Sequence, residues 1–144
     1  MRKLAVGCLV LLVTACAKRD DTPAPPPAGD MASFAGSWRA TSYNPAGDSI
    51  TAYELMATNS DSGWTITFPG RPAVPVRVLA RGGDSVVTEA GPYESVLRPG
   101  VQVTTRGTFR VHGDSLHGTT RATYNPPGTD SVLVVTTRGA RAPQ

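Results

Sequence analysis

From Phe34 onward, apolar and polar residues alternate with a period of two. Trp64, Ile66 and Phe68 are separated by Thr65 and Thr67, and Val74, Val76 and Val78 by Pro75 and Arg77. Val101, Val103, Thr105, Phe109 and Val111 alternate in the same way with Gln102, Thr104, Arg106, Thr108 and Arg110. Successive side chains of a strand point to opposite faces, so this period predicts strands with one dry and one wet face. Val and Thr also suit a pleated, half-buried surface. No stretch combines helical spacing with caps. The pattern predicts strands at roughly 36–43, 50–58, 63–68, 74–81, 85–90, 92–98, 101–112, 115–124 and 131–138.

The turns between them can be tested by parity, because a slip of one residue would send every side chain to the wrong face. A Gly-Asp-Ser-apolar signature recurs at Gly47, Gly83 and Gly113, with a variant from Gly128 to Val132. Taking Gly113-Asp114 as a two-residue hairpin loop sets Val111 against Leu116, Phe109 against Gly118, Thr105 against Ala122 and Val103 against Tyr124. Arg110 then faces His117, and Thr108 faces Thr119, on the polar side. Phe109 over Gly118 predicts an aromatic ring covering a strand glycine. A loop at Gly47-Asp48 sets Trp38 against Ala57, Ala40 against Leu55 and Ser42 against Tyr53. A loop at Ser60-Asp61 sets Leu55 against Ile66 and Tyr53 against Phe68. Trp38, Tyr53, Leu55, Trp64, Ile66 and Phe68 thereby form one apolar surface across three strands. The register at Gly82-Gly83-Asp84 is ambiguous by one residue. Sequential hairpins without a crossover helix predict an all-β, antiparallel up-and-down barrel of about eight or nine strands. A two-sheet β-sandwich is the alternative.

The chain start has a different organisation. Met1-Arg2-Lys3 is basic, Leu4 to Val13 is almost unbroken apolar sequence, and Thr14-Ala15-Cys16 closes it. This is the layout of a secretory signal peptide. A run of about ten apolar residues is half the roughly 20 that a membrane span needs, which disfavours an uncleaved anchor. Val13-Thr14-Ala15-Cys16 resembles the lipobox of bacterial lipoproteins. That resemblance implies that the Cys16 thiol receives a diacylglyceryl group, that residues 1–15 are removed, and that the new amine is acylated. Ala17 stands where retention in the inner membrane usually shows Asp, so the resemblance implies an outer-membrane address facing the periplasm. Residues 16–33 follow as a proline-rich tether, with Pro23, Pro25, Pro26 and Pro27, and residues 34–144 form the barrel domain. With Arg2 and Lys3 removed, 14 basic against 11 acidic residues becomes 12 against 11. A nearly neutral chain with dispersed basic residues gives no electrostatic footprint for nucleic acid. Cys8 lies in the leader and Cys16 at its end, so the folded part contains neither disulfide nor catalytic thiol.

Gly36-Ser37-Trp38 opens the first strand and resembles the start of lipocalin-like barrels. There the Trp closes the base of the barrel, and an Arg from the last strand packs across its indole. The resemblance implies this role for Arg138 or Arg141. The Thr-Asp-Tyr element of lipocalins has no match here, and no C-terminal helix follows.

Other residues offer little chemistry. His112, His117 and Asp114 could form only a thin metal site on a hairpin tip, so no metal is expected. The Gly-Asp-Ser repeats supply one carboxylate each, too few for calcium. Ser49, Ser85 and Ser115 lack a paired base, and parity puts Glu54 opposite Thr41 on the outer face. No cofactor is expected, and the chain is expected not to be an enzyme. Arg39, Arg77, Arg106, Arg110 and Arg121 fall on outer positions, with Arg106 opposite Arg121. Such a like-charge pair is unfavourable unless an acid or anion lies between. The leading expectation is an envelope lipoprotein, lipid-anchored at Cys16, whose barrel binds a small apolar or amphipathic ligand. Trp38, Tyr53, Trp64, Phe68 and Tyr124 are expected to line or cap that site. The alternative is a filled barrel that docks another envelope component.

Overall fold

The computed structural model describes residues 30–127 and 130–143. The expected leader, Cys16 and most of the tether lie outside the described residues. A single 3₁₀ turn, Met31–Ser33, is capped by the Asp30 carboxylate, which accepts from the Ala32 N–H at 2.8 Å. Eight strands follow: β1 (Gly36–Tyr43), β2 (Ser49–Ala57), β3 (Trp64–Thr67), β4 (Val74–Gly82), β5 (Ser85–Glu94), β6 (Gln102–His112), β7 (Ser115–Asn125) and β8 (Val132–Arg141). Each pairs antiparallel with the next, and β8 returns to β1 from Trp38↔Arg141 to Tyr43↔Thr136. The sheet is therefore a closed up-and-down barrel. Closure removes both free edges, which a two-sheet sandwich would have kept.

The β6–β7 hairpin has the predicted register throughout, including Val111↔Leu116, Phe109↔Gly118 and Val103↔Tyr124. Leu55↔Ile66 also holds between β2 and β3. The β1–β2 register differs by two residues: Trp38 faces Leu55, Ala40 faces Tyr53 and Ser42 faces Thr51. Its turn is longer than Gly47-Asp48. The Gly47 N–H donates to the Asn44 carbonyl at 3.0 Å, and the Asn44 side chain accepts from the Asp48 N–H at 2.9 Å. Asn44 thus closes a turn through Pro45 that parity alone did not reveal. An even shift leaves every side chain on its predicted face. Glu54 stays outside but faces Arg39 rather than Thr41.

The ninth expected strand is absent because segments 85–90 and 92–98 are one strand with a bulge at Gly91-Pro92. Ala90 pairs with Thr105, and the next paired residue is Tyr93, with Val103. A bulge inserts residues on one side of a ladder and bends the strand. Beyond Glu94 the chain leaves the sheet, and the Ser95 hydroxyl accepts from the Leu97 and Arg98 N–H groups at 3.1 Å each. The loop that was ambiguous resolves as Gly83-Asp84, since Gly82 pairs with Ser85. Gly83 and Gly113 both take positive φ, 57° and 59°, while among the described residues no non-glycine residue does. The first loop position thus needs glycine, and the following Asp does not enter the left-handed region.

The largest fully buried side chains fill the lower half of the barrel, at the end where β1 begins and β8 finishes, while a second buried cluster of Val103, Ala122 and Tyr124 lies toward the mouth. Met31, Phe34, Trp38, Trp64, Val86 and Leu116 are all buried there. Met31 belongs to the core although the sequence pattern assigns it to the tether. The Trp38 indole is fully buried and donates to the Phe34 carbonyl at 2.7 Å. The Trp64 indole donates to the Ser60 carbonyl at 2.9 Å. Each ring thus fills the base and also satisfies its one donor.

Candidate functional site

The other end of the barrel, the mouth, is ringed by the 44–48 turn and by the loops at 68–73 and 95–101. Inside it lies a cavity of about 90 Å³, with an overwhelmingly apolar lining. Its walls are the inward positions that the period of two supplies: Leu55, Ile66, Val103, Phe109, Ala122 and Val135. Small residues leave the space. Ala90 and Ala122 are short inward side chains on β5 and β7, whereas the space beside Gly107 on β6 is taken by the Phe109 ring.

Aromatic rings form one side of the mouth. Tyr53 and Phe68 lie 5.6 Å apart by ring centroid, and Phe68 and Tyr93 lie 5.8 Å apart, all tilted. Such tilted stacks favour ring edges against ring faces and hold the three side chains in place. The Tyr53 hydroxyl donates to Thr137 Oγ1 at 3.5 Å, which is itself 3.2 Å from Ser42 Oγ. Burial pushes the Tyr53 phenol above its ordinary value, against a smaller opposing pull from Thr137 and Ser42. Burial likewise raises Tyr93, with the Thr105 hydroxyl opposing. Both remain neutral hydroxyls at physiological pH.

Across the mouth, the Arg98 guanidinium lies 3.9 Å from the Tyr124 ring centroid and donates to the Asp130 carbonyl at 2.8 Å. It ties the 95–101 loop to the connection between β7 and β8. Val96 and Leu97 from the same loop line the cavity, and Leu97 is 39 % exposed. One polar atom inside is unmatched: the Thr120 hydroxyl is buried and has no partner among the described residues. A buried hydroxyl without a partner is costly, and a ligand acceptor would remove that cost.

Of the five expected ligand residues, Tyr53, Phe68 and Tyr124 line the cavity, whereas Trp38 and Trp64 do not. Strand polarity explains the division. The two Trp residues stand near strand ends at the base, where their rings plug the barrel from below. Tyr93 and Thr120 line the cavity although alternation did not single them out, and Thr105, on the inward face that alternation gave, lines it too. Tyr93 follows the bulge, which resets parity, and Gly91-Pro92 was the signal for it.

Among the described residues, no three His, Cys, Asp or Glu side chains gather to hold a metal. His112 lies 4.0 Å from Asp84, the Ser85 hydroxyl donates to the Gly82 carbonyl, and Glu94 accepts from the Gly100 N–H. Glu89 pairs with Arg77 on the outer wall. The chain matches no protein-family model, no curated protein and no solved structure.

Proposed function

We propose that this chain is a lipid-anchored envelope protein, acylated at Cys16, whose barrel takes the slender end of a small apolar or amphipathic ligand through its mouth. The observation that carries the ligand reading is the confinement of the barrel's interior volume to the mouth half, above a base filled by Trp38, Trp64 and Phe34. A drug-sized pocket holds about 300–1,000 Å³. The cavity, near 90 Å³, admits one narrow group and leaves the remainder of the ligand at the rim. There the half-buried Tyr93 offers a ring face and a hydroxyl, Tyr53 and Tyr124 line the wall, and Thr120 offers a donor within. The leader and lipobox pattern support the address, and the Arg141–Trp38 stack supports the lipocalin-like resemblance.

The small volume favours a second reading, a barrel filled for stability that docks another envelope component. Eight strands enclose a space that side chains can just fill. Native mass spectrometry of the purified chain, followed by titration with an alkyl alcohol series, separates the two. The ligand reading expects bound species or saturable alcohol binding, abolished by Ala122→Phe and weakened by Thr120→Val. A wild-type barrel that binds no member of the series and carries no small molecule would leave the second reading.

A further inference from the structure

Strands β6, β7 and β8 contain no Asp or Glu anywhere along their length. Their outer faces pair in rows across the wall. Thr104, Thr123 and Val132 form one row; Arg106, Arg121 and Val134 the next; then Thr108, Thr119 and Thr136; then Arg110, His117 and Arg138. Rows on one face of a strand repeat at about 7 Å. Two cationic rows thus bracket a row of threonine hydroxyls.

Arg106 stands directly opposite Arg121, the arrangement that disfavours strand pairing unless an anion intervenes. On its other side Arg106 stands directly opposite Glu89 of β5, whose carboxylate pairs with Arg77. Among the described residues, Arg106, Arg121 and Arg138 have no ion-pair partner, whereas Arg110 has Asp84 at 3.7 Å. Arg138 lies over the Tyr43 ring at 5.5 Å. The same wall exposes apolar side chains, Val132 at 37 % and Val134 at 45 %, the latter paired across from Arg121.

We propose that the β6–β8 wall docks on an anionic phospholipid surface. Planar guanidinium groups take phosphate oxygens in pairs, and the threonine hydroxyls can donate to the oxygens between them. A soluble polyanion would satisfy the arginines and leave Val132 and Val134 in water. A lipid interface takes up both kinds of group, since it combines headgroup charge with an acyl boundary. The docking needs no acyl group on Cys16, so it stands apart from the anchoring reading.

The full chain carrying Cys16→Ser, hence without acyl chains, should be titrated with vesicles of a zwitterionic phospholipid and of its mixture with an anionic one. The leader's Arg2 and Lys3 also favour the anionic vesicles, so the wall's share is read from what the wall substitutions remove rather than from the difference alone. Binding to the anionic vesicles should be tighter and should fall as salt is raised. Arg106→Gln, Arg121→Gln and Arg138→Gln combined should remove a preference on the order of a hundredfold, given the usual contribution of each basic residue near a charged surface. Val134→Glu, which supplies the missing acid beside Arg121, should weaken the preference without removing any arginine. Arg81→Gln at the base should leave it intact. Equal binding to both vesicles, or a combined variant that keeps the preference, overturns the proposal. Binding to soluble polyphosphate with none to vesicles overturns it equally and assigns the wall to an acidic polymer.

Discussion

Arg141 lies across the indole of Trp38, its guanidinium carbon 4.2 Å from the ring centroid. The same guanidinium donates to the carbonyls of Ala35 and Ser33, at 2.6 and 3.0 Å, and pairs with Asp114 at 3.1 Å. One side chain near the C-terminus therefore joins the start of β1, the β6–β7 turn and the ring that plugs the base. Arg141→Gln removes the cation–π contact and the charged donors, at a cost of about 2–4 kcal/mol. Arg141→Lys recovers only part, because an ammonium has no planar fork to span three acceptors. Urea unfolding checks this: the midpoint should fall with an unchanged slope. An unaltered midpoint would show that the clasp contributes nothing.

Gly118 and Gly107 flank the Phe109 ring, and a Cβ at either position would run into it. Phe109 is buried, so the ring has little room to retreat. Gly118→Ala should therefore destabilise the barrel by about 1–3 kcal/mol, although alanine is ordinarily the better strand residue. Pairing it with Phe109→Leu should recover part of the loss. Thermal unfolding of the two single variants and the double variant measures that coupling.

Alkaline stability depends on the buried phenols. Tyr53 and Tyr93 titrate above their ordinary value of 10.0 in the folded barrel, chiefly through burial. Unfolded, both lose their protons near that ordinary value, so above about pH 10 the unfolded chain binds fewer protons than the native one. Stability is fully present below that point and declines as pH rises toward the folded values. Tyr53→Phe should flatten this decline, while costing about 1 kcal/mol at neutral pH for the lost hydrogen bond to Thr137. Unfolding free energies at neutral and alkaline pH provide the comparison. Identical pH profiles in both proteins would refute the assignment.

The proposed anchoring depends on Cys16, which the lipobox resemblance makes the acylated residue. Several acyl chains, each contributing roughly 0.8 kcal/mol per buried CH₂, hold a protein firmly where one would not. Cys16→Ser should leave the precursor uncut by the lipoprotein route and shift the protein out of the detergent phase. Wild-type partitioning by that variant would refute acylation at Cys16.

Much of the barrel was legible because alternation is a local property. Phe109, Val111, Leu116 and Tyr124 reveal their faces from their immediate neighbours, and the two-residue Gly113-Asp114 loop fixes their register. The β1–β2 pairing escaped by two residues because an even slip preserves every face. The Asn44-closed turn and the β1–β2 ladder itself fix the observed register. Tyr93 escaped for the opposite reason, since a bulge reverses parity without changing composition. Arg138 and Arg141 were equivalent candidates for the Trp38 stack until β8 paired with β1. That pairing set Arg141 beside Trp38 and left Arg138 on the outer wall.

Residue order alone was enough for the strand class, for which side chains turn inward, and for most of the turns, because these follow from backbone geometry and the cost of wetting apolar groups. Three-dimensional closure assigned the two Trp rings to the base and left a void of about 90 Å³ at the mouth. It also aligned the unpaired arginines of β6, β7 and β8 on one wall. Volume and charge proximity depend on residues far apart in the chain, and no short window contains them.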